Sequence, residues 1–297
     1  MSDVAVVGSI NVDRAVDVPV APARGATLLG GSVLRGPGGK GANQSVALAR
    51  LGRSIAMIGA VGADADGDWM VDTLDAEGVD TRAVARLDDI ATGQAFVFVE
   101  PDGESTIVVA AGANGALTPG MLDAARETIA GARCVLAQQE VPANVVEHAA
   151  ELCTGIFVLN PAPARPLSEA LLARVDVLVP NRHELAGIAG RRGTTDLHAL
   201  AEMARSVRGP RAVVVTLGEQ GALVVEGGEE THVPAFPVNA IDATAAGDTF
   251  CGALVDGLLE GMSTVAAVEW AVRAAALTTE RPGAMASIPT RAEVAAR

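Results

Sequence analysis

Near-continuous runs of Val, Ile, Leu and Ala recur along the chain at strand length: Val4 to Gly8, Ser54 to Val61, Cys134 to Gln138, Ile156 to Leu159, Val175 to Val179 and Ala212 to Leu217. Runs with so little polar alternation suit strands covered on both faces, as in parallel sheets. Between them lie segments with helical spacing that end on stop signals. Ala42 to Leu51 runs into Gly52, Trp69 to Glu77 into Gly78, and Leu197 to Val207 stops before Gly209 and Pro210. This rhythm predicts an α/β fold, a doubly wound, mostly parallel sheet flanked by helices.

Two segments break the rhythm. Thr92 to Glu100 and Ser105 to Ala111 both alternate and are joined by Pro101, Asp102 and Gly103, which predicts an antiparallel hairpin with a tight turn. Ala15 to Val33, punctuated by Pro and Gly, also lacks a following helix. Together they predict a small β-sheet lid over the carboxyl edge of the main sheet, where open α/β sheets take their ligands. The expected division is an α/β core of residues 1–10, 36–90 and 113–297, with residues 11–35 and 91–112 as the lid.

Composition narrows the functional classes. The 297 residues are 49% hydrophobic and 20% charged, as expected of a chain with one large core. A net charge of −14 leaves no broad basic footprint for nucleic acid and no attraction to an anionic membrane. Five Phe, two Trp and no Tyr give little material for base-stacking platforms. Cys134, Cys153 and Cys251 are odd in number and lack CxxC spacing, which argues against a disulfide framework or zinc knuckle and for a reducing compartment. The opening MSDVAVVGSINVD reads as a buried strand rather than a signal peptide, and no run approaches the roughly 18 apolar residues of a membrane span. A cytoplasmic protein is expected.

One basic residue stands apart. Lys40 is the only lysine, every other cationic position being Arg, and it lies in the glycine cluster GPGGKGAN, Gly36 to Asn43. Gly36, Gly38 and Gly41 satisfy GxGxxG, but a dinucleotide fingerprint follows the first strand directly, and this cluster lies far downstream of Gly8. The phosphate-loop pattern fails because Gly41 follows Lys40 and position 34 is Leu. Asp64, Asp66 and Asp68 resemble a calcium loop until Trp69 takes the position that requires glycine, so they read as a solvated loop. Neither HExxH nor GxSxG occurs. The cluster is then either a tight turn before a helix or a loop that lets a small polyhydroxy ligand approach the backbone, flanked by Lys40 as donor and Asn43 as donor and acceptor. Farther on, IDATAAGDTFCGAL from Ile241 to Leu254 would present the successive N–H groups of Ala246, Gly247 and Asp248 at a helix N-terminus, a natural anion site. Asp248 could be an N-cap or could take a proton from a hydroxyl.

GGKGANQ together with TAAGDTF resembles the two signatures of the PfkB carbohydrate kinases, and within that family the kinases of ribose. The resemblance continues in order through GSINVD, AAGAN, QQEVP, LNPAPAR, PNRHE, VTLGEQG and RPGAMASIP. It implies ATP-dependent phosphorylation of D-ribose at O5. It implies that Asn11, Asp13, Gly39, Lys40, Asn43 and Glu140 hold the sugar, with Asp248 as the base facing its hydroxyl and Ala245, Ala246 and Gly247 completing an anion hole. Thr216, Gly218, Gly221 and Asn181 match positions that bind ATP, Gly247 faces its phosphates, and Glu184 in the NxxE pattern matches the Mg²⁺ shell through water. Asp242, Thr244, Thr278, Arg281, Gly283 and Ser287 match a monovalent cation site, usually for K⁺. A homodimer through the lid is also implied. Plainer readings stand beside these: a turn after the first strand for Asn11 and Asp13, and a helix cap with a surface acid for Asn181 and Glu184. The competing functions are a PfkB kinase for another furanose or a nucleoside, and a sugar-binding regulator without phosphoryl transfer, against which the presence of Asp248 argues.

Overall fold

Side chains alternate across the first strand, β1 (Val4–Val7), and both faces are covered. Val4 and Val6 pack into one layer with Val46, Phe250, Leu254 and Val268, while Ala5 and Val7 pack into the other with Ile129, Val145, Val146 and Leu200. The computed structural model describes residues 2–101 and 105–297. Along these residues the strands that follow are β2 (Asn11–Asp17), β3 (Val33–Gly38), β4 (Ile55–Gly62), β5 (Val79–Leu87), β6 (Gly93–Val99), β7 (Ser105–Ala110), β8 (Cys134–Gln138), β9 (Ile156–Asn160), β10 (Val177–Leu178), β11 (Ala212–Thr216), β12 (Ala222–Glu226) and β13 (Glu229–Val233).

The main sheet has nine strands in the order β13-β12-β11-β10-β9-β8-β1-β4-β5. Its pairings are parallel from β11 to β5, and β12 and β13 add an antiparallel edge. Parallel neighbours need crossovers, and helices supply most of them, so both faces are buried and the strand sequences stay apolar. One helical layer contains Lys40–Arg50, Ala246–Leu259 and Thr264–Thr278, and the other contains Ala143–Leu152 and Leu197–Ser206. The doubly wound, mostly parallel sheet expected from the apolar runs is therefore present. The Val175 to Val179 run contributes only the two residues of β10 as strand. Among the described residues no helix is long and apolar enough to cross a membrane.

A second sheet of four strands, β3-β2-β6-β7, joins the β6–β7 hairpin to β2 in parallel, and β2 to β3 antiparallel. The tip of the expected hairpin, Asp102 and Gly103, lies outside the described residues. Only the ends of the Ala15 to Val33 stretch are strand, and β3 continues through Gly36 to Gly38, past the boundary read from the sequence. The glycine cluster is thus half strand rather than a free loop. The register explains why: Asn11 pairs with Gly38 and Asp13 with Gly36. A Cβ on Gly38 would sit 2.2 Å from the Asp13 carboxylate.

The aspartates expected in a solvated loop instead start a helix. Asp64 caps Ala65–Ala76 by accepting the Gly67 N–H at 2.7 Å, and it also accepts Thr92 N–H at 2.9 Å and Thr92 Oγ1 at 2.6 Å. Asp66 pairs with Arg14 of β2 at 2.7 Å and Arg35 of β3 at 2.6 Å, and the Arg35 guanidinium lies 3.9 Å from the Trp69 ring centroid. These contacts fasten the small sheet to the α/β body.

A further polar knot centres on a buried acid in the helix Ala246–Leu259. Asp256, with no solvent exposure, accepts Arg53 Nε at 2.6 Å and Trp270 Nε1 at 3.0 Å and pairs with Arg291. Removing one partner of a buried, hydrogen-bonded ion pair strands the other charge, at about 3 kcal/mol or more. Asp256→Ala is therefore expected to lower unfolding stability by about 3 kcal/mol, read from the midpoint of a denaturant titration. A loss well under about 1 kcal/mol would show the knot to be dispensable.

Candidate active site

At the carboxyl edge the chain leaves β1 and turns through Gly8, Ser9 and Ile10 into β2, carrying polar side chains from one sheet to the other. Asn114, in the short Gly112–Ala116 turn, accepts the Ile10 N–H at 2.9 Å and donates to Ile10 O at 3.1 Å and to Asn11 Oδ1 at 2.7 Å. Asn11 is thereby fixed, buried, at the start of β2. Gly39 has φ +90°, and a Cβ there would lie 2.7 Å from the Asn11 nitrogen, so this position needs glycine both for its conformation and for room.

Acidic groups then gather. Ser9 Oγ donates to Glu140 Oε2 at 2.5 Å, and the Lys40 N–H donates to the same oxygen at 3.2 Å. Burial pushes the Asp13 carboxyl up to about 7, and the nearby charges of Glu140 and Asp248 push in the same direction. The Lys40 ammonium is held more tightly than usual: Asp248 raises its pKa most, burial opposes, and Glu140 and Glu184 add to the rise. Lys40 opens the helix Lys40–Arg50, two residues earlier than the apolar spacing predicts, with Gly39 as its N-cap.

Asp248, less than a tenth exposed, receives one amide on each oxygen. Asn43 Nδ2 donates to Oδ2 at 2.9 Å and Gln44 Nε2 to Oδ1 at 3.1 Å. The two helices that carry these groups approach closely because a Cβ on Gly252 would meet the Ala47 Cβ at 2.8 Å. Gln44, fully buried, escaped the residue-by-residue reading even though it lies inside GGKGANQ. Its signal was a long polar side chain among Ala and Val on a helix that buries nearly all round.

The helix Ala246–Leu259 begins here, after Ala245, whose φ of +61° makes it the non-glycine left-handed residue among the described residues. That conformation costs about 1–2 kcal/mol. The expected run of three free N–H groups is interrupted, because Ala246 donates to Ala243 O at 3.2 Å. Gly247 and Asp248 precede the first helical acceptor, and the ladder starts with Thr249 donating to Ala245 O at 2.8 Å.

Beside this cluster, Asn181 and Glu184 form a capping box: Asn181 Oδ1 accepts the Glu184 N–H at 2.9 Å and Glu184 Oε2 accepts the Asn181 N–H at 2.8 Å. Glu184 is buried, not a surface acid, and burial pushes its pKa up. Thr216 N–H donates to Pro180 O at 2.9 Å, which brings the end of β11 alongside, and Gly218 (φ +62°) and Gly221 (φ +87°) turn the chain after it. Among the described residues no three His, Cys, Asp or Glu side chains gather as a metal cluster. A single buried carboxylate fits a Mg²⁺ bound through water and phosphate oxygens, the mode that ion prefers.

The residues matched to a cation site are brought together only in part. Asp242 joins two loops, accepting the Thr244 N–H and the Gly283 N–H, each at 2.8 Å. Burial raises its pKa, but these hydrogen bonds outweigh it and the net shift is downward. The hydroxyl of Thr278 bonds inward to Thr249 and Ala274 O, Ser287 Oγ bonds Ala284 O at 2.7 Å, and Arg281 pairs with Glu293. Thr278 and Ser287 thus spend their hydroxyl protons within the protein, and Arg281 its charge on Glu293.

Residues 1–291 match the family model described as pfkB family carbohydrate kinase. The ribokinase of Haemophilus influenzae is 40% identical over 97% of this chain and 95% of its own. The deoxyribokinase of Salmonella typhi is 37% identical over 97% and 96%. The solved structure of Arabidopsis thaliana ribokinase complexed with ribose and ATP superposes with a TM-score of 0.92 at 30% identity, covering 99% of this chain and 98% of that one.

The Asp13 shift has a consequence for stability. Its folded pKa of about 7 lies above the ordinary 3.8, so the folded state binds the proton more tightly and loses stability as pH rises from about 4 to 7. Asp13→Asn is expected to melt close to wild type near pH 4 and, above pH 7, to be more stable on the order of 2–4 kcal/mol. Melting curves across this range check it, and parallel pH profiles would contradict it.

Proposed function

This chain belongs to the pfkB family of carbohydrate kinases, and from that premise we propose that it transfers the γ-phosphoryl group of ATP to O5 of D-ribose. The observation that carries the reading is Asp248: a buried carboxylate held by two amides at the start of a helix whose Gly247 and Asp248 N–H groups are unspent, next to the only lysine. In this reading the 5-hydroxyl gives its proton to Asp248 as O5 attacks the γ-phosphorus and the bond to the β–γ bridging oxygen breaks. The N–H groups of Gly247 and Asp248 receive the charge of the passing phosphoryl group, with Ala245 and Ala246 shaping the turn behind them. Asn11, Asp13, Gly39, Lys40, Asn43 and Glu140 surround the sugar, whose hydroxyls both donate and accept and so suit carboxylates mixed with amide and ammonium donors.

Asn181, Thr216, Gly218 and Gly221 border the nucleotide. Mg²⁺, held through water by Glu184, supplies charge neutralisation on the phosphate oxygens when bound. K⁺ near Asp242, Thr244, Thr278, Arg281, Gly283 and Ser287 belongs to the same reading, with main-chain carbonyls as its ligands. So does residence in the reducing cytoplasm, supported by three free cysteines.

A homodimer through the small sheet is also part of the proposal. Leu34 and Ile107, aligned through Ala15 and Val97 on one face of this sheet, are each more than half exposed, and Val109 on the same face is 49% exposed, an apolar face that a second copy would cover. Wild type is expected to elute as a dimer in size-exclusion chromatography and Leu34→Glu as a monomer. A wild-type monomer at high concentration would rule the dimer out.

The alternative sugar, 2-deoxyribose, draws its support from the similarity to a deoxyribokinase. Assays over ribose, 2-deoxyribose, fructose, 2-keto-3-deoxygluconate and nucleosides decide the substrate: ribose is expected to give the highest kcat/KM, and turnover of another compound with ribose inert would overturn the assignment. Asp248→Asn is expected to lower kcat by about 10²- to 10⁴-fold while ribose binding, read by calorimetry, persists.

A further inference from the structure

Asp248 needs donors on both carboxylate oxygens, yet a glutamine presents either its oxygen or its nitrogen to a neighbour unless something dictates which. In this protein the direction is dictated from the sheet. Val179, just past β10, offers a main-chain carbonyl that only accepts, and Asn160 Nδ2 donates to it at 2.9 Å. The other end of that amide, Asn160 Oδ1, is therefore an acceptor, and Gln44 Nε2 donates to it at 3.3 Å. Gln44 must then turn its nitrogen toward Asp248 and its oxygen away, and Gln138 Nε2 donates to that oxygen at 2.6 Å. Asn160, Gln44 and Gln138 are each at least nine-tenths buried.

Every anchor sits at the carboxyl end of the central sheet. Gln138 closes β8 and Asn160 closes β9, and the two are register partners. Gly8 follows β1, and a Cβ there would lie 1.8 Å from Gln138 Oε1, so glycine leaves the space that the Gln138 amide fills. Gln44 and Gln138 have no solvent exposure, so a misdirected Gln44 would set an oxygen against a carboxylate.

We propose that Gln44 is a positioning residue for Asp248, its amide direction set by the relay from Val179 through Asn160 and backed by Gln138. The inference rests on Asp248 being the base of the proposed kinase reaction. Gln44 touches no reacting atom; it fixes the carboxylate against the hydroxyl whose proton it takes. A misplacement of about 1 Å costs on the order of 10²-fold in rate, which sets the scale of the effect.

The test is a cycle of variants assayed with ribose and ATP. Gln44→Glu keeps the shape but cannot donate, and Gln44→Met keeps the volume without polarity. Both are expected to lower kcat by about 10- to 100-fold with the KM values for sugar and ATP within about threefold. Asn160→Leu, which keeps a similar shape but offers no acceptor to Gln44 Nε2 and so releases the amide direction, is expected to lower kcat in the same way although it lies one residue farther from Asp248. Combined with Asp248→Asn, Gln44→Glu is expected to cost nothing further, because its effect passes through Asp248. Unchanged kcat in both Gln44 variants, a loss confined to KM, or a full additional loss on top of Asp248→Asn overturns the inference. If wild type does not phosphorylate ribose, the proposed function fails first, and the same cycle run with the sugar it does use still judges the relay.

Discussion

Three carboxylates, Glu140, Glu184 and Asp248, act on one ammonium, Lys40, and a fourth, Asp13, is buried against Glu140 and Asp248. The surplus of negative charge shapes the rest of the site. A second cation would relieve the repulsion, but the chain instead uses neutral donors: the Ser9 hydroxyl and Lys40 N–H on Glu140, the Asn43 and Gln44 amides on Asp248, and the Asn181 N–H on Glu184. Neutral donors satisfy carboxylates without cancelling their charge, which leaves the cleft electronegative and ready for cationic and hydroxylic partners. The overall charge of −14 is thus no obstacle to a polyanionic nucleotide, because phosphates would meet a helix terminus and a metal shell rather than the protein's mean field.

Crowding polar groups so tightly demands space, and glycine provides it at defined points. Gly38 makes room for the Asp13 carboxylate and Gly8 for the Gln138 amide. Gly41 lets the first helix lie against the β1 exit, where a Cβ would come 2.7 Å from the Gly8 carbonyl carbon. The glycine cluster, readable in sequence as a tight turn or a ligand loop, is therefore mostly a set of vacated Cβ positions around side chains.

The legible parts of the sequence were those governed by local periodicity. Apolar runs marked the parallel strands because both faces of the sheet are covered, and Gly52 and Gly78 marked helix ends because both take left-handed conformations. The short β10 was overestimated because Val175 and Val179 are buried without being paired as strand, and burial alone looks the same in sequence. Asp64 looked solvated because its main partner, Thr92, is far away in the chain. Gln44 stayed hidden for the same reason: its meaning depends on Asn160, Gln138 and Asp248, each about a hundred or more positions distant. The hydroxyls of Thr278 and Ser287 turn back to their own helix or turn, a local bond that sequence does not reveal.

The division of the site between two sheets follows from the two-residue period of β2. Asn11 and Asp13 fall on one face and Arg14 on the other, so a single strand delivers polar groups to the cleft and an ion pair to Asp66 on the body. This matters because Asp13 is electrostatically unwelcome where it sits, pressed toward Glu140 and Asp248 with its charge desolvated. Left to itself, that repulsion favours moving the small sheet outward. The Arg14 and Arg35 pairs with Asp66 and the stacking of Arg35 on Trp69 act in the opposite sense, outside the cleft and on the far side of the same strands. A ligand whose hydroxyls donate to Asp13 relieves the repulsion from within, so in the proposed reaction sugar binding and these external pairs pull the two sheets together by separate means.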